Sequence, residues 1–334
     1  MQTPPHHRLP MISSIRVNEL SWLGEDLRRP ECVLCTARGD FFASDANGGI
    51  VHIAPNGTQR FIAARNAPDD FLPNGFALLE DRSFLIANLG PSGGVWRMAP
   101  DGESSPFLTE IDGRPIPGTN FVNVDDRGRI WISVSTWRVP REQSFRRRTE
   151  DGFIILVENG DARIVRDDIG FTNENKVDPS GEWLYVNETI TRRLSRFRIK
   201  PNNDLGPREV IAEFADRNDS GIFPDGFDFD ENGGIWIASV VSNRLARIDP
   251  DGQVTTIIDN ADQATTDAAI EAWRADEFSR NEIDAGRHGE LGNLASVTFA
   301  GADRRIGVLG SLFADRIATF RSPVSGVAPA HWHF

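Results

Sequence analysis

Five stretches of this chain repeat one pattern, and a repeat of this length restricts the architecture more than any single motif does. They are ECVLCTARGDFFAS from Glu31, NGFALLEDRSFLIA from Asn74, NFVNVDDRGRIWIS from Asn120, NENKVDPSGEWLYV from Asn173 and DGFDFDENGGIWIA from Asp225. Each runs through a polar residue, an apolar strand, a D-x-x-G-like turn and a second apolar strand. The turn is clearest at 125–128, 178–181 and 230–233. A sixth, degenerate copy, NLASVTFAGADRRIGVL, starts at Asn293 with one extra turn residue. Behind the copies come further strand pairs around Asn-Gly or Asp-Gly, such as GIVHIAPNGTQRFI and NRLARIDPDGQVTTII, the strongest short hairpin signal. Each unit is therefore a four-stranded antiparallel meander. Successive copies start 43, 46, 53, 52 and 68 residues apart, the spacing of propeller blades.

The expected fold is thus all-β, a six-bladed β-propeller with four-stranded antiparallel blades. The chain divides into a disordered tail (1–11), one propeller domain (12–322) and a C-terminal tail (323–334), with the strand at 12–20 free to complete the last blade. Two insertions break the period. Residues 138–150 carry the basic run Arg146-Arg147-Arg148, and 261–284 have helical composition, with Ala269, Ile270, Trp273 and Phe278 spaced to share a face. Either they are solvated loops or they form a pair of flaps over one channel mouth.

Composition agrees with many short strands. The 334 residues include 30 Gly, 20 Pro, 21 Phe and 8 Trp but a single Tyr. A net charge of −13 argues against a nucleic-acid or anionic-membrane partner. No apolar run is long enough for a membrane span, and no secretory signal is read at the start, so a cytoplasmic location is expected. Cys32 and Cys35 point to opposite faces of a strand and read as two buried structural thiols in a reducing compartment.

In a propeller the first strand of each blade lines the central channel, so the leading residues of the copies share one small space. Reading round the ring gives Glu31, Asn74, Asn120, Asn173 and Asp225, with the sixth position open between Asn293 and Ser296. This set holds two carboxylates, three amides, and no Lys or Arg. Two uncompensated carboxylates there would repel and be costly to desolvate. A hard cation resolves that, and oxygen ligands suit Ca²⁺ or Mg²⁺ better than Zn²⁺. Turn residues solvated by water are the plain alternative.

The slots, with P-E at 30–31, T-N at 119–120 and 172–173 and P-D-G at 224–226, resemble the six-bladed gluconolactonase family, which includes regucalcin (senescence marker protein) and luciferin-regenerating enzyme. The resemblance implies one divalent metal, Ca²⁺ first and Mg²⁺, Mn²⁺ or Zn²⁺ otherwise, held by Glu31, Asn120, Asn173 and Asp225. It implies metal-assisted opening of a small-molecule lactone or ester, with Asp225 as general base or nucleophile and Asn74 as a neighbouring hydrogen-bond donor. Sugar-lactone members place an Arg two positions before Asn120 and an Asp after it; here these are Gly118 and Phe121. With Phe171 and Phe223 two residues before Asn173 and Asp225, the expected substrate is less polar than a sugar lactone, contacted by Phe121 and Phe171. Blade-to-blade packing is the plainer reading of each phenylalanine singly. His288, just after the helical insertion, is a candidate for assisting proton transfer at the mouth. A metal-binding regulatory propeller without turnover, and a family member recruited to a biosynthetic step, are the competing functions. The oligomeric state is not legible.

Competing motifs fail on context. Gly90-Pro-Ser-Gly-Gly94 fits G-x-S-x-G, but no helix follows, as a nucleophile elbow requires. Arg146–Arg148 reads as a solvated loop, and His331-Trp-His333 as a loose tail.

Overall fold

The computed structural model describes residues 13–215 and 220–334; the tail proposed for 1–11 lies outside them. Six four-stranded antiparallel sheets form the blades of a propeller. Their innermost strands are Val33–Cys35, Pro73–Leu78, Thr119–Val124, Thr172–Val177, Phe223–Phe229 and Leu294–Ala300, and each blade touches the next around the ring. Within each blade the strands follow in sequence order, as the hairpin turns dictate.

The ring closes where first and last segments meet. Ser21–Leu23 pairs antiparallel with Ile317–Arg321, Ser21 opposite Thr319 and Leu23 opposite Ile317, and so supplies the outer strand of the sixth blade. The closing strand was expected at 12–20; it falls later. Val17–Glu19 forms a 3₁₀ turn instead, and Ile15, Val17 and Leu20 pack on the core between blades five and six. Burying these three side chains outweighs extending the sheet edge.

The D-x-x-G turns explain why the repeat keeps its aspartate. Asp230 is 1 % exposed; its Oδ1 accepts the backbone N–H of Asn232 and Gly234 at 2.9 Å each, and its Oδ2 accepts Trp236 Nε1 at 2.8 Å and Arg247 Nε at 2.7 Å. Asp125 repeats this arrangement with Arg127, Arg129 and Trp131. One carboxylate therefore closes the turn and pins a buried tryptophan and a buried arginine of the same blade.

The two insertions are ordered. Helices α1 (Gln263–Arg274) and α2 (Arg280–Ala285) follow the fifth blade, and the segment after Ile130–Val134 makes a 3₁₀ turn at Arg141–Ser144. Ala269, Ile270 and Phe278 are buried, with Trp273 half-buried beside them, in a cluster that also holds Phe145, Phe171 and Phe223. Phe223 stacks on Phe278 at 5.1 Å, and Trp273 Nε1 donates to Ile190 O at 2.6 Å. Both insertions thus sit where the inner strands of blades four and five begin. Among the described residues no helix is long and apolar enough to cross a membrane.

The C-terminal residues are packed, not loose. Val327 N bonds to Phe229 O at 2.9 Å, Ala37 N to Trp332 O at 2.7 Å, and Trp332 is 5 % exposed. The tail spans the far end of the channel from blade five to blade one, because Val324, Trp332 and Phe334 find apolar clusters there. Burial and nearby Lys176 push His331 down to about 4. Docked His331 thus stays neutral to about pH 4, whereas an undocked imidazole takes a proton near its ordinary value of about 6.5. Docking is complete above that value and weakens as the pH falls through this window, by on the order of 1–3 kcal/mol. We expect faster amide exchange over 327–334 at pH 5 than at pH 7, and His331→Gln to erase the difference. Equal acid sensitivity in that variant would assign the effect elsewhere.

Candidate metal centre

The polar slots sit where the inner strands break register. Shifts occur between Pro73 and Phe76, Thr119 and Phe121, Thr172 and Asn175, Pro224 and Phe227, and Leu294 and Ser296. A bulge at the same height in five blades re-aims the side chain it carries. Two of the bulges rely on glycine for close approach: a Cβ at Gly75 would lie 2.0 Å from the Phe121 ring, and one at Gly226 would lie 2.6 Å from Glu174 Oε1.

The slot side chains are tied to one another and to neighbouring backbone. Asn74 Nδ2 donates to Glu31 Oε1 at 3.0 Å and to Asn120 O at 2.8 Å. Asn173 Nδ2 donates to Thr189 Oγ1 at 3.0 Å, whose hydroxyl donates to Pro224 O at 2.8 Å; Asn187 Nδ2 donates to Asp225 O at 2.8 Å. These bonds occupy the amide nitrogens of Asn74 and Asn173, and the Asn173 acceptor oxygen is left free. Asn120 Oδ1, Asn173 Oδ1 and Asn187 Oδ1 are all buried without a hydrogen-bond partner, and Glu31 Oε2, buried with them, has the Arg29 guanidinium beside it. Buried polar atoms are normally satisfied. Asp225, 5 % exposed, has its carboxyl pushed well above the ordinary carboxylate range by burial, then by the charges of Glu31 and Glu174. A set of orphaned acceptors with two carboxylates, all oxygen, fits a hard divalent cation. Among the described residues no three His, Cys, Asp or Glu side chains group as ligands; the candidate set depends on its amides.

Several channel residues were not anticipated. Because the bulge turns consecutive residues inward, Glu174 follows Asn173 into the channel, where burial pushes its carboxyl up to about 8 and its Oε2 accepts Phe227 N–H at 3.2 Å. Below it, Lys176 Nζ pairs with Asp228 Oδ1 at 3.3 Å. The expectation of a ring without Lys or Arg holds for the slots and fails for their surroundings. Arg29, from the loop before Glu31, lies 3.0 Å from Glu31 Oε2 and donates to Asn74 Oδ1 at 2.7 Å. Arg141, from the first insertion, lies over the Phe171 ring at 4.9 Å. The repeat alignment could not show either, since neither belongs to the repeat. At the sixth blade, Asn293 bonds Val241 N and Ile283 O, anchoring α2, while Ser296 Oγ donates to the Glu31 carbonyl.

The remaining candidates occupy different places. Phe121 is 5 % exposed, packed on Gly75 and in the core of blades one and two. Phe171, 2 % exposed, holds an edge contact with Phe145 at 5.0 Å. His288 is exposed, at the end of the 3₁₀ turn Gly286–His288 that follows α2. Cys32 and Cys35 are free thiols in separate clusters, and burial pushes Cys35 up to about 12. In the 90–94 loop, Ser92 Oγ bonds Asp70 at 2.5 Å, and a strand follows.

The family model described as the SMP-30/Gluconolactonase/LRE-like region matches residues 30–272, most of the ring. The chain belongs to this family. The 6-deoxy-6-sulfogluconolactonase of Pseudomonas putida is 29 % identical over 181 residues, covering 54 % of this chain and 58 % of that one. The match thus spans little more than half of that relative. Among solved structures, a gluconolactonase from Xanthomonas campestris superposes with a TM-score of 0.64 at 16 % identity, over 90 % of this chain and 88 % of the other. A calcium-binding regucalcin from Agrobacterium tumefaciens does so with 0.63 at 17 %, over 98 % and 95 %. At such identities the structures speak for the fold of this family member, and its chemistry rests on the site.

Proposed function

We propose that this family member is a metal-dependent hydrolase that opens a lactone or ester. The observation that carries the reading is the pair of buried, unpartnered amide oxygens on Asn120 and Asn173, from two blades, set against the buried carboxyls of Glu31 and Asp225. Glu31, Asn120, Asn173 and Asp225 would hold the ion, with Ca²⁺ the best match to an all-oxygen donor set. Bound there, a divalent ion supplies Lewis acidity toward a carbonyl oxygen. Asp225 accepts the proton of the attacking water and returns it to the ring oxygen as the acyl C–O bond breaks, or itself attacks as nucleophile. Asn74 keeps the Glu31 carboxylate oriented through its 3.0 Å bond. The names of the lactonase relatives support the reaction class, and the regucalcin likeness is consistent with calcium.

A less polar substrate had been inferred from Phe121 and Phe171, but both rings are committed to packing. The charged side chains around the mouth are the better guide to the substrate. The test is a panel of γ- and δ-lactones and aryl esters with and without chelator. EDTA should abolish turnover and lower the melting temperature, and Ca²⁺ should restore both; at 100-fold saturation the ion stabilises by about 2.7 kcal/mol. Turnover that survives both EDTA and Asp225→Ala would sink the reading. A protein that loses stability on chelation yet hydrolyses nothing would belong to the binding class.

A further inference from the structure

Two guanidinium groups stand at the mouth with no full complement of anions. Arg29 shares Glu31 with the candidate ion site. Arg141 makes no hydrogen bond and no ion pair among the described residues, and its Nη1 is buried without a partner. The Phe171 ring beneath it stands two residues before Asn173 and shares a cluster with Phe223, two residues before Asp225, which puts the guanidinium on the slot side of the insertion. Glu142, next to it in sequence, is exposed. The loop that carries Arg141 is braced: Thr136 Oγ1 and Ser144 Oγ lie 2.7 Å apart, Arg138 Nε donates to Asp151 Oδ2 at 2.8 Å, and Phe145 packs on Phe171. An unpartnered, pre-positioned guanidinium next to buried groups is costly unless something meets it.

Once a divalent ion neutralises Glu31 and Asp225, Arg29, paired with Glu31, and Arg141, over the Phe171 ring, are left as two uncompensated cations near the same slots. We infer that Arg141, with Arg29, forms an anion subsite beside the metal centre, so that the preferred substrate carries an oxyanion substituent, a carboxylate or a sulfonate, in addition to the ester bond to be opened. This deepens the hydrolase reading and rests on it for the word substrate, though not for binding. A planar guanidinium fork matches such oxyanions in two parallel hydrogen bonds. The same insertion, read from the sequence as either a solvated loop or a flap over the mouth, then contributes a specificity-determining residue. Its basic run, Arg146 to Arg148, stays exposed and outside the subsite.

The test compares 5-oxotetrahydrofuran-2-carboxylate with its neutral carboxamide on the Ca²⁺-loaded protein, with a sulfonate-bearing lactone as the second anionic arm. The wild type should favour an anionic lactone by about 10- to 100-fold in kcat/KM, and Arg141→Met should remove most of that ratio. Arg141→Lys, which keeps charge without the fork, should retain part of it and guards against a misfolded variant. Which anionic arm gains more separates carboxylate from sulfonate. Binding is read independently of turnover: 2-hydroxyglutarate should raise the melting temperature more than 4-hydroxybutyrate, and only while Arg141 is present. If the lactones are opened but the ratio is near one, or is unchanged by Arg141→Met, the inference is overturned and the hydrolase reading stands; Arg141 would then serve the reaction oxyanion common to all lactones. If nothing is opened while the 2-hydroxyglutarate effect depends on Arg141, the subsite stands and the hydrolase reading falls. No turnover and no selective binding overturns both.

Discussion

Asp225→Asn is expected to raise the melting temperature of the metal-free protein while abolishing both its Ca²⁺-dependent gain and its turnover. Burial and the charges of Glu31 and Glu174 hold the Asp225 carboxyl in its protonated form well above the ordinary carboxylate range. A carboxyl whose folded value is raised contributes stability below its unfolded value of about 3.9, and that stability is lost as the pH rises through the folded value. At neutral pH without metal the aspartate is therefore a liability. The amide has the same shape and no charge, and relieving such a site commonly yields about 0.5–2 kcal/mol. With Ca²⁺ the order reverses, because the variant lacks the charge that makes the ion bind. Loss of a catalytic base together with a metal ligand should cost about 10³-fold or more in turnover. Melting curves of both proteins with EDTA and with Ca²⁺ decide the matter: an unaltered Ca²⁺ increment in Asp225→Asn would remove this residue from the metal set. Single turnover in ¹⁸O water then separates base from nucleophile, since only a nucleophilic Asp225 acquires label.

The second large effect lies far from the site. Asp230→Ala should destabilise the protein by about 3–5 kcal/mol, since removing one partner of a buried pair leaves a charge and a donor uncompensated. Arg247 is 4 % exposed and Trp236 fully buried, and both lean on Asp230 Oδ2; Asp249 is the only other acidic partner of Arg247 among the described residues. The turn N–H groups of Asn232 and Gly234 lose their acceptor as well. Asp230→Asn keeps the Oδ1 contacts and should cost less. Chemical denaturation reads both, and a loss below about 1 kcal/mol for the alanine variant would show that the repeat aspartate is replaceable by water. The fifth blade also carries Asp225, so the variant should bind Ca²⁺ more weakly as it loosens.

Particular residues show how far the sequence could be read. Asn74, Asn120, Asn173 and Asp225 were found because a repeat puts equivalent residues at equivalent heights. Glu174 was hidden by the bulge, which breaks the alternation that would have turned it away from the channel. Ser296, and not Asn293, contacts Glu31, because the last copy carries its own register shift. The tail was misjudged since twelve residues without periodicity announce no partner, and Trp332 is buried only by the far end of the channel.

The repeat by itself determined six blades, their four strands, the closing of the ring by the two ends, and the identity of the polar slots, since each follows from local patterning copied along the chain. Tertiary structure alone decided the charge around those slots. Arg29 approaches from a loop outside the repeat to pair with Glu31, and Arg141 comes from an insertion to lie over Phe171, two residues before Asn173. Electrostatic interaction depends on distance through space and on burial, neither of which is written in the order of residues.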